Sequence, residues 1–90
     1  MGKWEGKIKG YDQSNHYIGT YRALIEKQGE VLYKMSLSFD LNIHIERKHK
    51  LDSYLKEETI YSSSLVVLKR KFRAATLLKI KSRVTWRKNS

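Results

Sequence analysis

From Val31 to Glu46 the chain reads VLYKMSLSFDLNIHIE. Every odd position is apolar: Val31, Tyr33, Met35, Leu37, Phe39, Leu41, Ile43 and Ile45. Every even position except Leu32 is polar: Lys34, Ser36, Ser38, Asp40, Asn42, His44 and Glu46. Alternation of period two marks a strand with one buried and one solvated face, and a helix does not produce it. The pattern predicts a strand over 31–46 with its odd side chains inward. At about 3.3 Å per residue such a strand would stretch roughly 53 Å, while a compact chain of this length has a radius of gyration near 12 Å, so a diameter of only about 30 Å. A straight strand overshoots. It must coil, bend at a bulge or be shared between two sheets, with Ser36 to Asn42 the expected place for the bend.

The segments on either side agree. WEGKIK (4–9) alternates as a short strand, DQSN (12–15) is turn chemistry, and HYIGTYRALIEK (16–27) is a second strand. Gln28-Gly29 then predicts a hairpin into the long strand, since Gly adopts φ > 0 at little cost. A basic turn at 47–50 leads to LDSYLKEETIY (51–61), a fourth strand, and Ser62 to Ser64 is the next break. In the last third, LVVLKRKF and LLKIKSRVTW (65–72 and 77–86) read as two more strands. One helix over 64–81 with Ser64 as its N-cap is another reading, and a helix over 64–76, suggested by its Lys, Arg and Ala content, is the alternative kept open. Over 65–80 the apolar residues scatter around a helical wheel. With period two, Leu78, Ile80, Val84 and Trp86 share one face, and Lys79, Lys81, Arg83 and Arg87 the other. The expectation is an all-β chain: an antiparallel meander of five or six strands, forming a small barrel or strongly curved sheet, in one domain over 1–90. Arg22 stays open between two readings, following Ile18, Thr20 and Leu24 inward or reaching water from an edge-like strand.

Composition bounds the function. Ninety residues with 40% apolar and 31% charged side chains suit one globular domain with a modest core. The absence of cysteine excludes disulfides, thiolate metal sites and a cysteine nucleophile. No apolar run approaches the roughly 18 residues of a membrane-spanning helix, and no signal-peptide core is present. The start MGKWEG lacks Ser or Thr at position 6, so it does not support myristoylation. The expected location is cytoplasmic, or exported if a leader has been removed. His44, Glu46 and His49 have no zinc-ligand spacing and read as solvated residues. Asp40, His44 and a serine form no nucleophile motif, and there is no Gly-rich phosphate loop. No enzyme, metal or cofactor is expected.

The charge is lopsided. Residues 1–58 carry ten Lys/Arg against nine Asp/Glu, whereas 59–90 carry nine Lys/Arg and no acid. If LKRKFR (68–73) and KIKSRVTWRK (79–88) pair around 74–76, Lys69 and Lys71 lie beside Lys81 and Lys79. Like charges directly across strands are destabilising, and phosphates would relieve them. The expected partner is therefore nucleic acid, single-stranded or RNA, held by Lys69, Lys71, Arg73, Lys79, Lys81, Arg83, Arg87 and Lys88. Trp4, Tyr17 and Tyr21 are the candidate stacking residues, although core is the commoner fate of aromatics. The alternative is a β-barrel-like protein whose long apolar face holds an apolar ligand or a protein partner, either a second copy or a protein it inhibits.

The run YIGTYRALIEKQGEVLYKMSLSFDLNI (17–43), with the following long strand and YSSSL, resembles bacterial β-meander proteins of unknown function. In these an Ile-Gly strand opens a hairpin onto a long alternating strand. The likeness covers about residues 8–65 and includes Gly19 and Gly29. It implies a curved, partly open, lipocalin-like sheet, often in exported proteins. The basic last third departs from that pattern.

Overall fold

A computed structural model describes residues 2–42 and 54–89. Five strands and one helix follow in the order β1 (Lys3–Tyr11), β2 (Tyr17–Lys27), β3 (Tyr33–Leu41), β4 (Thr59–Ser62), α1 (Leu65–Ala75) and β5 (Thr85–Asn89). The strands form one antiparallel sheet in the order β4-β3-β2-β1-β5. The expected all-β meander is therefore present as an open sheet, not a closed barrel. After β4 the chain runs across one face of the sheet as α1 and residues 77–84. It then pairs β5 with β1 at the opposite edge. No helix among the described residues is long and apolar enough to cross a membrane.

Alternation decides which face is covered. Ile8, Tyr21, Ala23, Ile25, Met35 and Phe39 point to the α1 side and are buried, as are Leu68, Phe72 and Ala75 of the helix. Lys7, Lys9, Arg22, Ser38 and Asp40 point to the other side and are exposed. The period-two reading thus holds over β3. It fails at Val31, which is 73% exposed, and the strand does not extend to Val31 and Leu32, where the amide of Gln28 bonds the carbonyl of Leu32 at 2.8 Å. Residues 28–32 are a loop between the last pair, Lys27 and Tyr33, in place of the expected two-residue turn. No glycine has positive φ; that conformation falls to Asn15 (φ 66) in the DQSN turn. Residues 43–46, the basic turn at 47–50, His44, Glu46 and His49, and the first part of the expected 51–61 strand lie outside the described residues. Tyr54 to Glu58 are irregular apart from a bridge at Leu55, and β4 begins only at Thr59.

One bulge alters the parity of β2. Gly10 pairs with Gly19, but Tyr11 pairs with Tyr17, so Ile18 is the extra residue. A bulge turns neighbouring side chains against the strand's alternation. Ile18 is accordingly buried despite its even number, and the Tyr17 hydroxyl lies 2.6 Å from that of Thr20. Arg22 is resolved as outward: it pairs with Asp40 on β3.

Over 65–75 a helix replaces the expected strand. Ser64 caps it, its hydroxyl accepting from the Val67 amide at 3.3 Å. Leu65, Leu68, Phe72 and Ala75 form one inward stripe. A wheel extended to residue 80 conceals that stripe, because it adds five residues beyond the helix end. The expected pairing of 68–73 with 79–88 does not form, nor does the ladder of Lys69 and Lys71 beside Lys81 and Lys79. The facing expected for 78–87 does hold. Leu78, Ile80, Val84 and Trp86 pack on the core, and Lys79, Lys81, Arg83 and Arg87 are exposed.

Candidate functional site

Helical periodicity distributes the cations of α1. Val66, Lys69, Arg70 and Arg73 stand at i, i+3, i+4 and i+7, so they share one flank. Lys71 lies on the opposite flank. Across from the first row, the residues leading into β5 bring Arg83, Val84 and Trp86, and together the two walls bound a cleft of about 440 Å³. Among the described residues seven side chains line it, of which four are cationic and none is acidic. The floor is aromatic. The Trp86 ring lies over Gly6, where a Cβ would come within 2.7 Å of it, and meets Phe72 edge-on at 5.6 Å. The Lys69 ammonium stands 5.3 Å from the Trp86 ring centroid. Glycine at position 6 is what lets the indole lie flat on the sheet.

The other expected contact residues are dispersed. Lys79 sits in a two-residue bridge to Tyr11, with both backbone bonds at 2.9 Å, and its ammonium donates to Asn15 Oδ1 at 2.8 Å. Lys81 covers the ring of Tyr11 at 4.2 Å. The loop that receives Lys79 is held by Asp12, whose carboxylate accepts from the amides of Ser14 and His16 at 2.8 and 2.9 Å. Those bonds, led by the His16 amide, keep the Asp12 carboxyl below its usual range. Arg87 stands opposite Glu5 on the uncovered face. Lys88 lies on the helix side, 5.5 Å from the centre of the Trp4 ring.

The three candidate stacking residues differ in accessibility. Tyr21 has no exposed surface, and it belongs to the core. Trp4 is half-buried and meets Tyr33 edge-on at 5.8 Å. Tyr17 is also half-buried, with its ring 6.1 Å from that of Tyr11 and the Lys9 ammonium 5.5 Å away. Sequence reasoning missed Arg70, which a strand would have turned inward, and the pairing of Trp86 with a helix. It also missed Lys7, Lys9 and Tyr11. Their alternation in KIKGY was the available signal, concealed by near-neutral charge over residues 1–58. Among the described residues, no group of His, Asp and Glu could hold a metal. In comparisons with known proteins, no family model, no curated protein and no solved structure matches this chain.

Proposed function

We propose that this protein is a non-catalytic module that binds nucleic acid, as single-stranded DNA or RNA, in the cleft between α1 and β5. The observation that carries the reading is the acid-free set of Lys69, Arg70, Arg73 and Arg83 arranged around Trp86. Cations so placed repel one another at low ionic strength, and phosphates that replace their counterions give binding a large entropic gain. Trp86 and Val66 supply apolar surface for a base, and stacking on an aromatic ring tolerates any sequence. The basic row of α1 faces Arg83 and Trp86 across the cleft, which suits a strand lying between them better than insertion into a major groove. Lysine and arginine contacts to phosphate position a strand without specifying its sequence.

A salt titration of oligonucleotide binding by fluorescence anisotropy tests this. Engaging about five phosphates of a single strand gives log K a slope near −3.5 against log salt. An Arg70→Glu/Arg73→Glu variant keeps the circular dichroism of the wild type, because both side chains are exposed, and loses most of the affinity. Absence of binding by wild type at low salt, or equal binding by the folded variant, defeats the proposal.

A further inference from the structure

Arg83 lines two clefts, one on each side of the sheet. The second, about 520 Å³, opens on the uncovered face, where Lys7, Lys9, Arg22 and Tyr11 bound it together with Thr20 and Thr85. Lys7 stands directly opposite Arg22 in the β1–β2 register, with Lys9 two positions further along the same face. Like charges so placed weaken a sheet. Asp40 offsets Arg22, but among the described residues no carboxylate lines the cleft. Among the described residues, Lys7, Lys9 and Arg83 form no salt bridge. Ser82 and Thr85 also line the cleft, as does Thr20, whose hydroxyl is paired with that of Tyr17. At one end lies Tyr11, with Lys81 over its ring.

The two clefts meet at a sheet edge. Among the described residues β5 is the last strand on that side, and no neighbouring strand closes the way from one face to the other. Arg83 stands just before it.

We propose that one nucleic-acid strand occupies both clefts, turning round the β5 edge with Arg83 between them and stacking a base on Tyr11. This rests on the reading of the α1–β5 cleft as a nucleic-acid site. The path selects the physical state of the ligand. Duplex DNA has a persistence length of about 150 base pairs and resists sharp bending. It cannot turn round the edge of a body only 20 Å across its shortest axis. A single strand, DNA or RNA, can.

The test compares single-stranded oligomers of about four and about twelve nucleotides, lengths within the range that small single-strand-binding folds accommodate. With the longer oligomer, Lys7→Gln/Lys9→Gln should lose roughly tenfold in affinity, and its salt slope should become shallower by about 1.4 for two lost phosphate contacts. The shorter oligomer, held in the α1–β5 cleft alone, should bind this variant and the wild type alike. Tyr11→Leu should lose about fivefold or more at every salt concentration with the slope unchanged, as loss of stacking requires.

The failures separate. If no oligonucleotide binds wild type at low salt, the α1–β5 reading falls and this proposal falls with it. If Arg70→Gln/Arg73→Gln weakens binding while Lys7→Gln/Lys9→Gln leaves the longer oligomer's affinity and slope intact, only the second cleft is refuted. A duplex that competes as well as the single strand overturns the wrapped path. Undiminished affinity in Tyr11→Leu removes the stacked base.

Discussion

The hydroxyl of Tyr21 accepts a hydrogen bond from the amide of Leu78 at 3.1 Å, across 57 positions of sequence. The same hydroxyl donates to the carbonyl of Tyr54 at 2.7 Å, and that carbonyl also takes the Leu77 amide at 3.1 Å. One phenol at the centre of the sheet therefore ties down two irregular segments, 54–58 and 77–84. The second carries Lys79, Lys81 and Arg83. Replacing Tyr21 by Phe keeps the ring against Phe39, 4.7 Å away, but removes the partner of the part-buried Leu78 amide and leaves the Tyr54 carbonyl with the Leu77 amide alone. The expected cost is about 1–3 kcal/mol, read as a lower urea midpoint, and oligonucleotide affinity should fall with it as Arg83 loses its support.

The same residue makes stability sensitive to alkali. Burial pushes the Tyr21 phenol above its ordinary value of 10.0, against the smaller opposing effect of the Leu78 and Leu77 amides. Burial also raises Tyr54. A phenol whose folded pKa exceeds its unfolded one contributes stability that is complete below the unfolded value and lost as pH climbs through the folded value. Urea midpoints should therefore decline above about pH 10, and Tyr21→Phe should be the less alkali-sensitive protein, though weaker at neutrality. An alkaline decline of equal size in both proteins would contradict this assignment.

Gly19 and Gly10 face each other across β1 and β2, yet they should not tolerate alanine equally. A Cβ on Gly19 would overlap the carbonyl oxygen of Asp40 and stand 2.5 Å from the Phe39 ring. The backbone oxygen belongs to the β2–β3 ladder and cannot retreat without loss of pairing. A Cβ on Gly10 would meet only the side chains of Tyr21 and Leu78, at 2.8 and 3.0 Å. Gly19→Ala should cost at least about 1–3 kcal/mol, the usual range for overpacking, and more than Gly10→Ala. Thermal melts of the two variants decide the order.

What the sequence disclosed follows from the range of each physical signal. Alternation is local and strong, so β1, β2 and the centre of β3 were legible, as was the facing of Leu78, Ile80, Val84 and Trp86. Where strands end depends on non-local bonds such as Gln28 to Leu32, and the alternation of Val31 gave no warning of that loop. Helix α1 was legible only as an alternative. Its inward stripe is four residues long, and the apolar residues after Ala75 belong to another element. The cleft itself was not legible. Arg83 and Arg70 meet because β5 returns to β1, a pairing between the two ends of the chain that no local pattern encodes. The cations were visible in the sequence, but their grouping was not.

The Ser64 side chain caps the N-terminus of α1, whose first turn has no acidic residue. Ser64→Ala should cost about 1 kcal/mol. Ser64→Asp should match or exceed the wild type, because a carboxylate there both caps the amide and meets the positive end of the helix dipole. Thermal melts followed at the helix band should place Ser64→Ala below the wild type and Ser64→Asp at or above it; a Ser64→Ala variant as stable as the wild type would mean that the cap is not a stabilising contact.

Arg70 and Lys71 are neighbours in sequence, both exposed and both on α1, so reversing either changes the net charge of the protein equally. They differ by about 100° around the helix axis. Arg70 lines the cleft with Lys69 and Arg73, and Lys71 does not. If nucleic acid were attracted only by the overall charge of +10, Arg70→Glu and Lys71→Glu would weaken binding alike. If the strand lies in the α1–β5 cleft, Arg70→Glu should lose roughly tenfold or more, with a salt slope shallower by about 0.7 for one phosphate contact. Lys71→Glu should then lose only the small part that long-range attraction supplies, and that loss should vanish as salt rises and the Debye length shrinks to about 8 Å at 0.15 M. Equal losses in the two variants at that salt concentration would mean that the cleft is not where the strand is held.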